Sequence, residues 1–284
     1  MEPFQILDSA KAPSLFLLSN WMKRNERLTA GFSGRSGGVS EQPWSSLNMG
    51  LHVGDKSEDV IHNRKMVAKA LNWPFEAWTC AEQVHGHAVY KVQHSDRGKG
   101  RQSHQEAIAG CDAIMTNEPN VLLASYYADC VPLYFYDKEN GAVALAHAGW
   151  RGTVQEIAAR TVEAMHREYG TQMAKLQAAI GPSIGPCCYE VDGEVIRSIE
   201  QLAAQYGQDP VQAGWMNMVS KEGKSQIDLK EINRQIMMKA GILPIHIELT
   251  EYCTGCSTDL FYSHRIEKGN TGRMASWIGI AEGE

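Results

Sequence analysis

Two apolar segments, 121–127 and 131–136, stand only three residues apart, and a third, 142–146, follows the dipeptide Asn140-Gly141. Their short length and their Val, Leu, Tyr and Phe content point to buried strands. Asn-Gly supplies the positive φ angles of a tight hairpin, so the second and third strands are expected to run antiparallel. The reversal has a chemical consequence. It returns His147, after the third strand, to the end of the sheet where Cys130 precedes the second.

Helical and strand patterns alternate around this centre. Residues 28–33 read as a strand, and 34–55, rich in Gly, Ser, Asn and Pro, as a long ordered loop suited to binding. Asp55 with Glu58 resembles a capping box for a helix over 56–71, where Val60, Ile61, Val67, Ala68 and Leu71 recur at helical spacing. Strands follow at 77–81 and 87–92, on either side of the turn Val84-His85-Gly86. The polar stretch 95–106 has few apolar anchors and is expected to be a mobile surface loop. Further helices are expected over 153–169, stopped by Gly170, over 193–206, and over 229–240 with Asp228 as N-cap. Strands are expected at 176–180 and 245–249. The alternation indicates an α/β arrangement in a single domain, 1–284, and the hairpin means that its sheets are mixed.

Lys and Arg number 27 against 33 Asp and Glu, a formal charge of -6. There is no basic excess to hold a nucleic acid backbone, although a local pocket for one phosphate is compatible with this balance. The first 20 residues lack a basic start followed by a long apolar run, which leads us to expect a cytoplasmic protein. No apolar run approaches the roughly 20 residues of a membrane helix. The seven cysteines, an odd number in a chain of this size, suggest reduced thiols, one or more of them a ligand or a reactive group.

The strongest chemical signal is Ala128-Asp129-Cys130-Val131-Pro132 together with His147-Ala148-Gly149-Trp150-Arg151-Gly152. A thiolate and an imidazole on neighbouring strand ends suit zinc, and a third ligand would leave one coordination position open. His85, in a turn after a strand, is the candidate for that third ligand. The same residues are also compatible with a Cys–His nucleophile pair. Ile180-Gly181-Pro182-Ser183-Ile184-Gly185-Pro186-Cys187-Cys188-Tyr189 suits a pocket wall or a rigid supporting turn, and lacks the spacing of a nucleotide loop. Cys253-Thr254-Gly255-Cys256 has CxxC spacing. With no second ligand pair evident and no strand–helix redox context, packing or turn chemistry is the expectation there.

As an ordered set the motifs are specific. Ser46-Leu47-Asn48 with Gly50, Gly54-Asp55, Gln83-Val84-His85-Gly86, Ala128-Asp129-Cys130, His147 to Gly152, Ile180-Gly181-Pro182 with Ile184, Cys187 with Tyr189-Glu190-Val191, and Phe261-Tyr262-Ser263-His264-Arg265 all stand in the chain. In these the chain resembles the YfiH/YlmD-like family, formerly called laccase-domain or multicopper polyphenol oxidoreductases and now regarded as purine nucleoside enzymes. The resemblance implies a layered α-β-β-α sandwich with mixed sheets and zinc held by His85, Cys130 and His147. It also implies phosphorolysis of adenosine, inosine, guanosine or 5'-methylthioadenosine, with deamination of adenosine besides.

Such chemistry assigns further roles. Deamination at C6 of adenine requires water activated by zinc and a proton carrier, for which Asp129 is the candidate. Phosphorolysis requires cations and donors around a phosphate, for which Arg64, Arg151, Asn48 and His52 are candidates. Tyr189 is placed to stack on a purine, Cys253 is a candidate near the pocket, and His264 is placed to help close it. The partners are then purine nucleosides and inorganic phosphate, with the oligomeric state open between monomer and homodimer. Two other readings are kept: a copper-dependent polyphenol oxidase, since thiolate and imidazole also bind copper, and a noncatalytic metal-binding accessory protein.

Overall fold

The hairpin forms, closed by the four residues 138–141 rather than by a two-residue Asn-Gly turn, and only Gly141 of the four takes a positive φ. Val131–Asp137 and Ala142–Ala148 pair antiparallel, with Val131 opposite Ala148 and Leu133 opposite Ala146, and Gly141 provides a φ of 60° in the connection. Burial alternates along both strands. Val131, Leu133, Phe135 and the alanines 142, 144, 146 and 148 face one core, while Tyr134, Tyr136, Val143 and Leu145 face another. A strand apolar on both sides must be covered on both sides, and this requirement generates the layers.

The computed structural model describes residues 2–7 and 13–283. In chain order its elements are β1 (Phe4–Leu7), β2 (Leu15–Leu18), α1 (Ser19–Arg24), β3 (Leu28–Ser33), α2 (Ser57–Ala70), β4 (Trp78–Cys80), β5 (Val89–Lys91), β6 (Ala113–Thr116), β7 (Leu122–Tyr127), β8 (Val131–Asp137), β9 (Ala142–Ala148), α3 (Trp150–Val154), α4 (Ile157–Tyr169), β10 (Gln177–Ile180), β11 (Glu190–Asp192), α5 (Gly193–Gln205), β12 (Lys224–Gln226), α6 (Leu229–Lys239), β13 (Ile247–Leu249) and β14 (Met274–Ile280).

Among the described residues the strands build two six-stranded sheets and a two-stranded ribbon. The first sheet runs β1-β2-β3-β14-β7-β4, the second β13-β10-β8-β9-β6-β5, and the ribbon is β11-β12. The pairs β4–β7, β5–β6 and β10–β13 are parallel, so both sheets are mixed as expected. The sheets face each other across a core containing Phe16, Phe32, Leu123, Ile278, Ile114 and Leu145. Outside the second sheet α4, α5 and α6 bury Val162, Ile199 and Ile236, and outside the first sheet α2 buries Val67 beside Trp78 and Trp277. The order is therefore α-β-β-α.

Several boundaries depart from the sequence pattern for identifiable reasons. No capping box opens α2. It starts at Ser57 without a side-chain cap, because Asp55 Oδ1 accepts from Lys56 N and Oδ2 from Asn48 Nδ2. The helix expected over 153–169 begins earlier, at Trp150, and breaks at Glu156, which takes a left-handed φ of 58° while its carboxylate accepts from Tyr206 Oη. Gly170 ends α4 in the left-handed conformation and Asp228 caps α6, both as expected.

The stretch 95–106 is pinned to the fold. Cys80 N donates to Lys99 O, Gly98 N donates to Thr79 Oγ1, and Arg64 Nη1 donates to the carbonyls of Gly100 and Arg101. A backbone bond to the β4 edge, the Arg97 side chain on Asn120 O and the buried Arg64 supply the anchorage that apolar positions do not. Arg64 is 1% exposed, donates through Nε and Nη2 to Met49 O, and lies 4.2 Å over the Tyr126 ring. It thus joins the Gly-rich loop to 95–106.

Arg64→Met keeps side-chain bulk and removes donors from three carbonyls. Stability is expected to fall by about 3 kcal/mol, read as a lower urea midpoint at unchanged slope. An unchanged midpoint would refute the strut.

Candidate metal centre

His85 and Cys130 share a topological position. The chain crosses from the first sheet to the second twice in this region, from β4 to β5 and from β7 to β8, and each crossing carries one of them. The first crossing is held by Gln83, whose side-chain amide accepts from Tyr126 N and donates to Tyr126 O, both at 2.8 Å, in place of a strand partner. Gln83, His85 and Asp129 all have left-handed φ values, 63°, 60° and 88°. Strained backbone of this kind persists only where its surroundings dictate it.

His147 comes from β9, opposite Pro132. The hairpin brings it beside Cys130, as the Asn-Gly turn implied. The donor atoms of His85, Cys130 and His147 all lie within 4.8 Å of one another, and the two imidazoles stand edge to face with centroids 4.9 Å apart. Gly149 faces this cluster closely. A Cβ there would lie 3.1 Å from Cys130 Sγ and 3.4 Å from the His85 ring.

The residue that organises the cluster is Asp112, directly before β6. Its buried carboxylate accepts from His85 N and His147 Nδ1 through Oδ1, each at 2.9 Å, and from Val84 N and Gly86 N through Oδ2. Backbone His147 N also donates to Asp112 O. With Nδ1 of His147 so engaged, Nε2 is the atom left for a ligand. Burial disfavours the Asp112 charge, but the hydrogen bonds from His147, Gly86 and His85 more than offset it and hold the carboxyl below its usual range. Burial also pushes the Cys130 thiol up, yet the two imidazoles prevail and bring it down to about 6. His147 rises to about 9 against burial, drawn up by Cys130 and Asp112. Two imidazoles and a low-pKa thiol form a coherent donor set for a soft or borderline metal, with a position to spare.

The cluster forms a wall between two cavities. One, of about 570 Å³, is lined by Trp150, Arg151, Ile184, Tyr189, Val191 and Leu229 among others. The second, of about 350 Å³, is lined by His52, Glu82, His104, Tyr126, His147 and Arg273 among others. His85, Cys130 and His264 line both. Tyr189 is half-buried with Arg265 5.2 Å from its ring centroid, and Arg151 lies over Trp150. His52 keeps a solvent-open edge facing His104. Partial loss of water in the cleft, with the charges of Arg273 and His104, holds its pKa down to about 4.

Four residues with expected catalytic or binding roles have other engagements. Arg64 is buried with its donors on carbonyls. Asn48 is fully buried, accepting from Gly50 N and Arg273 N and donating to Asp55, so it shapes the loop that presents Arg273. Asp129 lines the larger cavity beside His85 and Cys130, and its carboxylate oxygens accept from Thr254 Oγ1 and Arg265 N. Cys253 lines neither cavity and sits with other cysteines. Asp112, Arg273, Glu82 and His104 escaped the sequence reading. Asp112 left one signal, a lone acid at the head of the apolar run 113–115.

Asp112→Asn turns one acceptor oxygen into a donor facing other donors. In apo protein kept in a chelator it is expected to cost about 3 kcal/mol in urea unfolding. Equal midpoints for variant and parent would remove Asp112 from this role.

The chain has extensive relatives. The family model described as multi-copper polyphenol oxidoreductase laccase matches residues 29–281. The chain is 41% identical over 277 residues to the protein named purine nucleoside phosphorylase YlmD of Bacillus subtilis (strain 168), covering 96% of this chain and 97% of that one. It is 45% identical over 253 residues to the protein of the same name from Geobacillus stearothermophilus, covering 89% and 90%. The crystal structure of the Geobacillus stearothermophilus YlmD matches with a TM-score of 0.91 at 41% identity, over 99% of this chain and 100% of that one. That of the Bacillus licheniformis hypothetical protein YfiH matches with a TM-score of 0.89 at 42% identity, over 97% and 99%. A chain that shares this architecture nearly end to end and aligns with these proteins at such identity belongs to the YfiH/YlmD-like family of laccase-domain proteins.

Proposed function

We propose that this protein is a purine nucleoside phosphorylase that acts on adenosine, inosine, guanosine and 5'-methylthioadenosine, binds zinc through His85, Cys130 and His147, and also deaminates adenosine. The name carried by the Bacillus and Geobacillus relatives supports the phosphorylase reading. The observation that carries it is the division of the site into two cavities that meet at the His–Cys–His cluster, the larger lined by Trp150 and Tyr189 with Arg151, Lys224 and Arg265, the smaller by Arg273 with Tyr126 and Tyr127. Phosphorolysis needs just such a division, since an apolar base and an anionic nucleophile must approach opposite sides of one sugar carbon.

In this reading the purine enters the larger cavity and stacks on Tyr189, with Trp150, Ile184 and Leu229 excluding water. Phosphate enters the smaller one, where Arg273 replaces Arg64 as the principal cation and His52, uncharged at neutral pH, and His104 offer hydrogen bonds. The phosphate oxygen bonds to C1' as the C1'–N9 bond breaks, and the base leaves with the bonding pair. Glu82, whose Oε2 accepts from Gly110 N in the same cavity, is the carboxylate assigned to proton movement. Asp129 holds the Cys130 loop against Thr254 and Arg265, and Arg151 stands at the mouth of the base cavity. Zinc when bound supplies Lewis acidity at the junction.

The second reading follows the family description, copper-dependent oxidation of phenols. Metal analysis of protein purified without added metal, together with a phenol oxidation assay, separates the two.

The principal test is product analysis with adenosine, with and without inorganic phosphate. Phosphate-dependent adenine and ribose 1-phosphate are expected from phosphorolysis, and phosphate-independent inosine from deamination. Formation of neither would defeat both activities. Arg273→Gln is expected to raise the phosphate KM by about tenfold or more, and Tyr189→Ala to raise the nucleoside KM by about tenfold, the scale of one base–aromatic stack. His147→Ala is expected to lose one equivalent of bound metal together with activity, and full retention of both would end the ligand assignment.

A further inference from the structure

Four of the six cysteines outside this centre converge on a point of their own. Cys187 and Cys188 lie in the turn that follows β10, and Cys253 and Cys256 in the loop that follows β13. Strands β10 and β13 are parallel neighbours, and their pairing extends as an isolated bridge between Ser183 and Cys253. Thr254 N donates to Ser183 O beyond it. The CxxC pair, which has no partner nearby in sequence, meets Cys187-Cys188 through this register.

The distances are informative. Cys187 Sγ lies 3.5 Å from Cys253 Sγ and 3.3 Å from Cys256 Sγ, and Cys188 Sγ lies 3.4 Å from Cys256 Sγ. All four sulfurs lie within 4.8 Å of one another. A disulfide needs about 2.05 Å between sulfurs. Four sulfurs around one ion at about 2.3 Å form a tetrahedron with edges of about 3.8 Å; these three separations lie a few tenths of an ångström below that value, and the rest lie within 4.8 Å.

The surroundings suit concentrated negative charge. Gly185 N donates to Cys253 Sγ at 3.2 Å. Lys230, 6% exposed, is fastened by Thr250 O and Tyr252 O at the root of the same loop, where its charge acts on Cys253 and Cys187. Gly255 lets the two loops approach, since a Cβ there would stand 2.7 Å from Cys188 Cβ.

We propose that Cys187, Cys188, Cys253 and Cys256 bind a second metal ion, zinc(II), in a closed tetrathiolate site. Each thiol loses its proton on binding, and four protein ligands leave no position for substrate, so the ion is structural. It fastens together two loops that serve the candidate centre. Tyr189, adjacent to Cys188, lines the larger cavity, and Thr254, between Cys253 and Cys256, donates to Asp129 at 2.6 Å beside Cys130.

The test uses full-length protein carrying His85→Ala and His147→Ala, loaded with zinc, desalted and measured by plasma mass spectrometry. One zinc per chain is expected to remain, and to disappear when Cys253→Ser and Cys256→Ser are added. Because the added changes may unfold the chain, cobalt(II) is also loaded into the His85→Ala/His147→Ala protein. The intense visible bands and sulfur-to-metal charge transfer of tetrahedral sulfur coordination are expected. A His-variant protein that retains no zinc and gives a pale, octahedral cobalt spectrum overturns the proposal. So does a disulfide between Cys187 or Cys188 and Cys253 or Cys256 in unreduced protein. Neither outcome depends on whether the protein is a phosphorylase.

Discussion

One buried carboxylate sets the geometry on which the centre depends. Asp112 receives four hydrogen bonds, three from the consecutive backbone N–H groups of Val84, His85 and Gly86 and one from the His147 ring. An uncompensated acid in this position would be costly, and the four donors make its ionised form the stable one. The same bonds bend the chain into the left-handed conformation of His85 and choose the nitrogen that His147 presents. Remove the charge and the 84–86 turn and the His147 ring lose their common reference point.

That reference point lies where the two sheets exchange chain. Both crossings pass the same end of the sandwich, and the hairpin returns β9 to it, so three side chains distant in sequence meet without a dedicated helix or long lid. The crossings bring different walls with them. Tyr189, Trp150 and Leu229 belong to segments packed on the second sheet, whereas His52, His104 and Arg273 come from loops tied to the first. The two cavities thus draw on segments that serve different sheets.

The cysteines divide in the same spatial way. Cys80 and Cys111 are buried, and burial raises both thiols, as befits small core residues. Cys130 stands with imidazoles and an open side. The remaining four stand with one another, beyond the ends of β10 and β13. A His–Cys–His cluster that borders two cavities and a four-cysteine cluster beyond it are thus chemically distinct groupings.

Much of this was legible in the residues. The apolar alternation of 131–136 and 142–146, the Asp228 cap and the Gly170 stop each act over a few residues, and each formed as its local chemistry dictates. Other features had no local cause. Strand β14, central in the first sheet, is defined by pairing with β3 and β7, from 250 residues away in one case, and the anchorage of 95–106 rests on Arg64 and the β4 edge. Arg64 and Asn48 carry the right groups for phosphate chemistry, but both are buried with their polar atoms on other partners. Asp112 and Arg273 gain their positions only from folding. Sequence alone determined which strands turn back on themselves and hence that Cys130 and His147 would meet, because hairpin register is a short-range property. Only the tertiary structure decided that Asp112 would govern His85 and that Cys187 and Cys188 would find Cys253 and Cys256, because those contacts depend on how separate strands stack and pair across the whole chain.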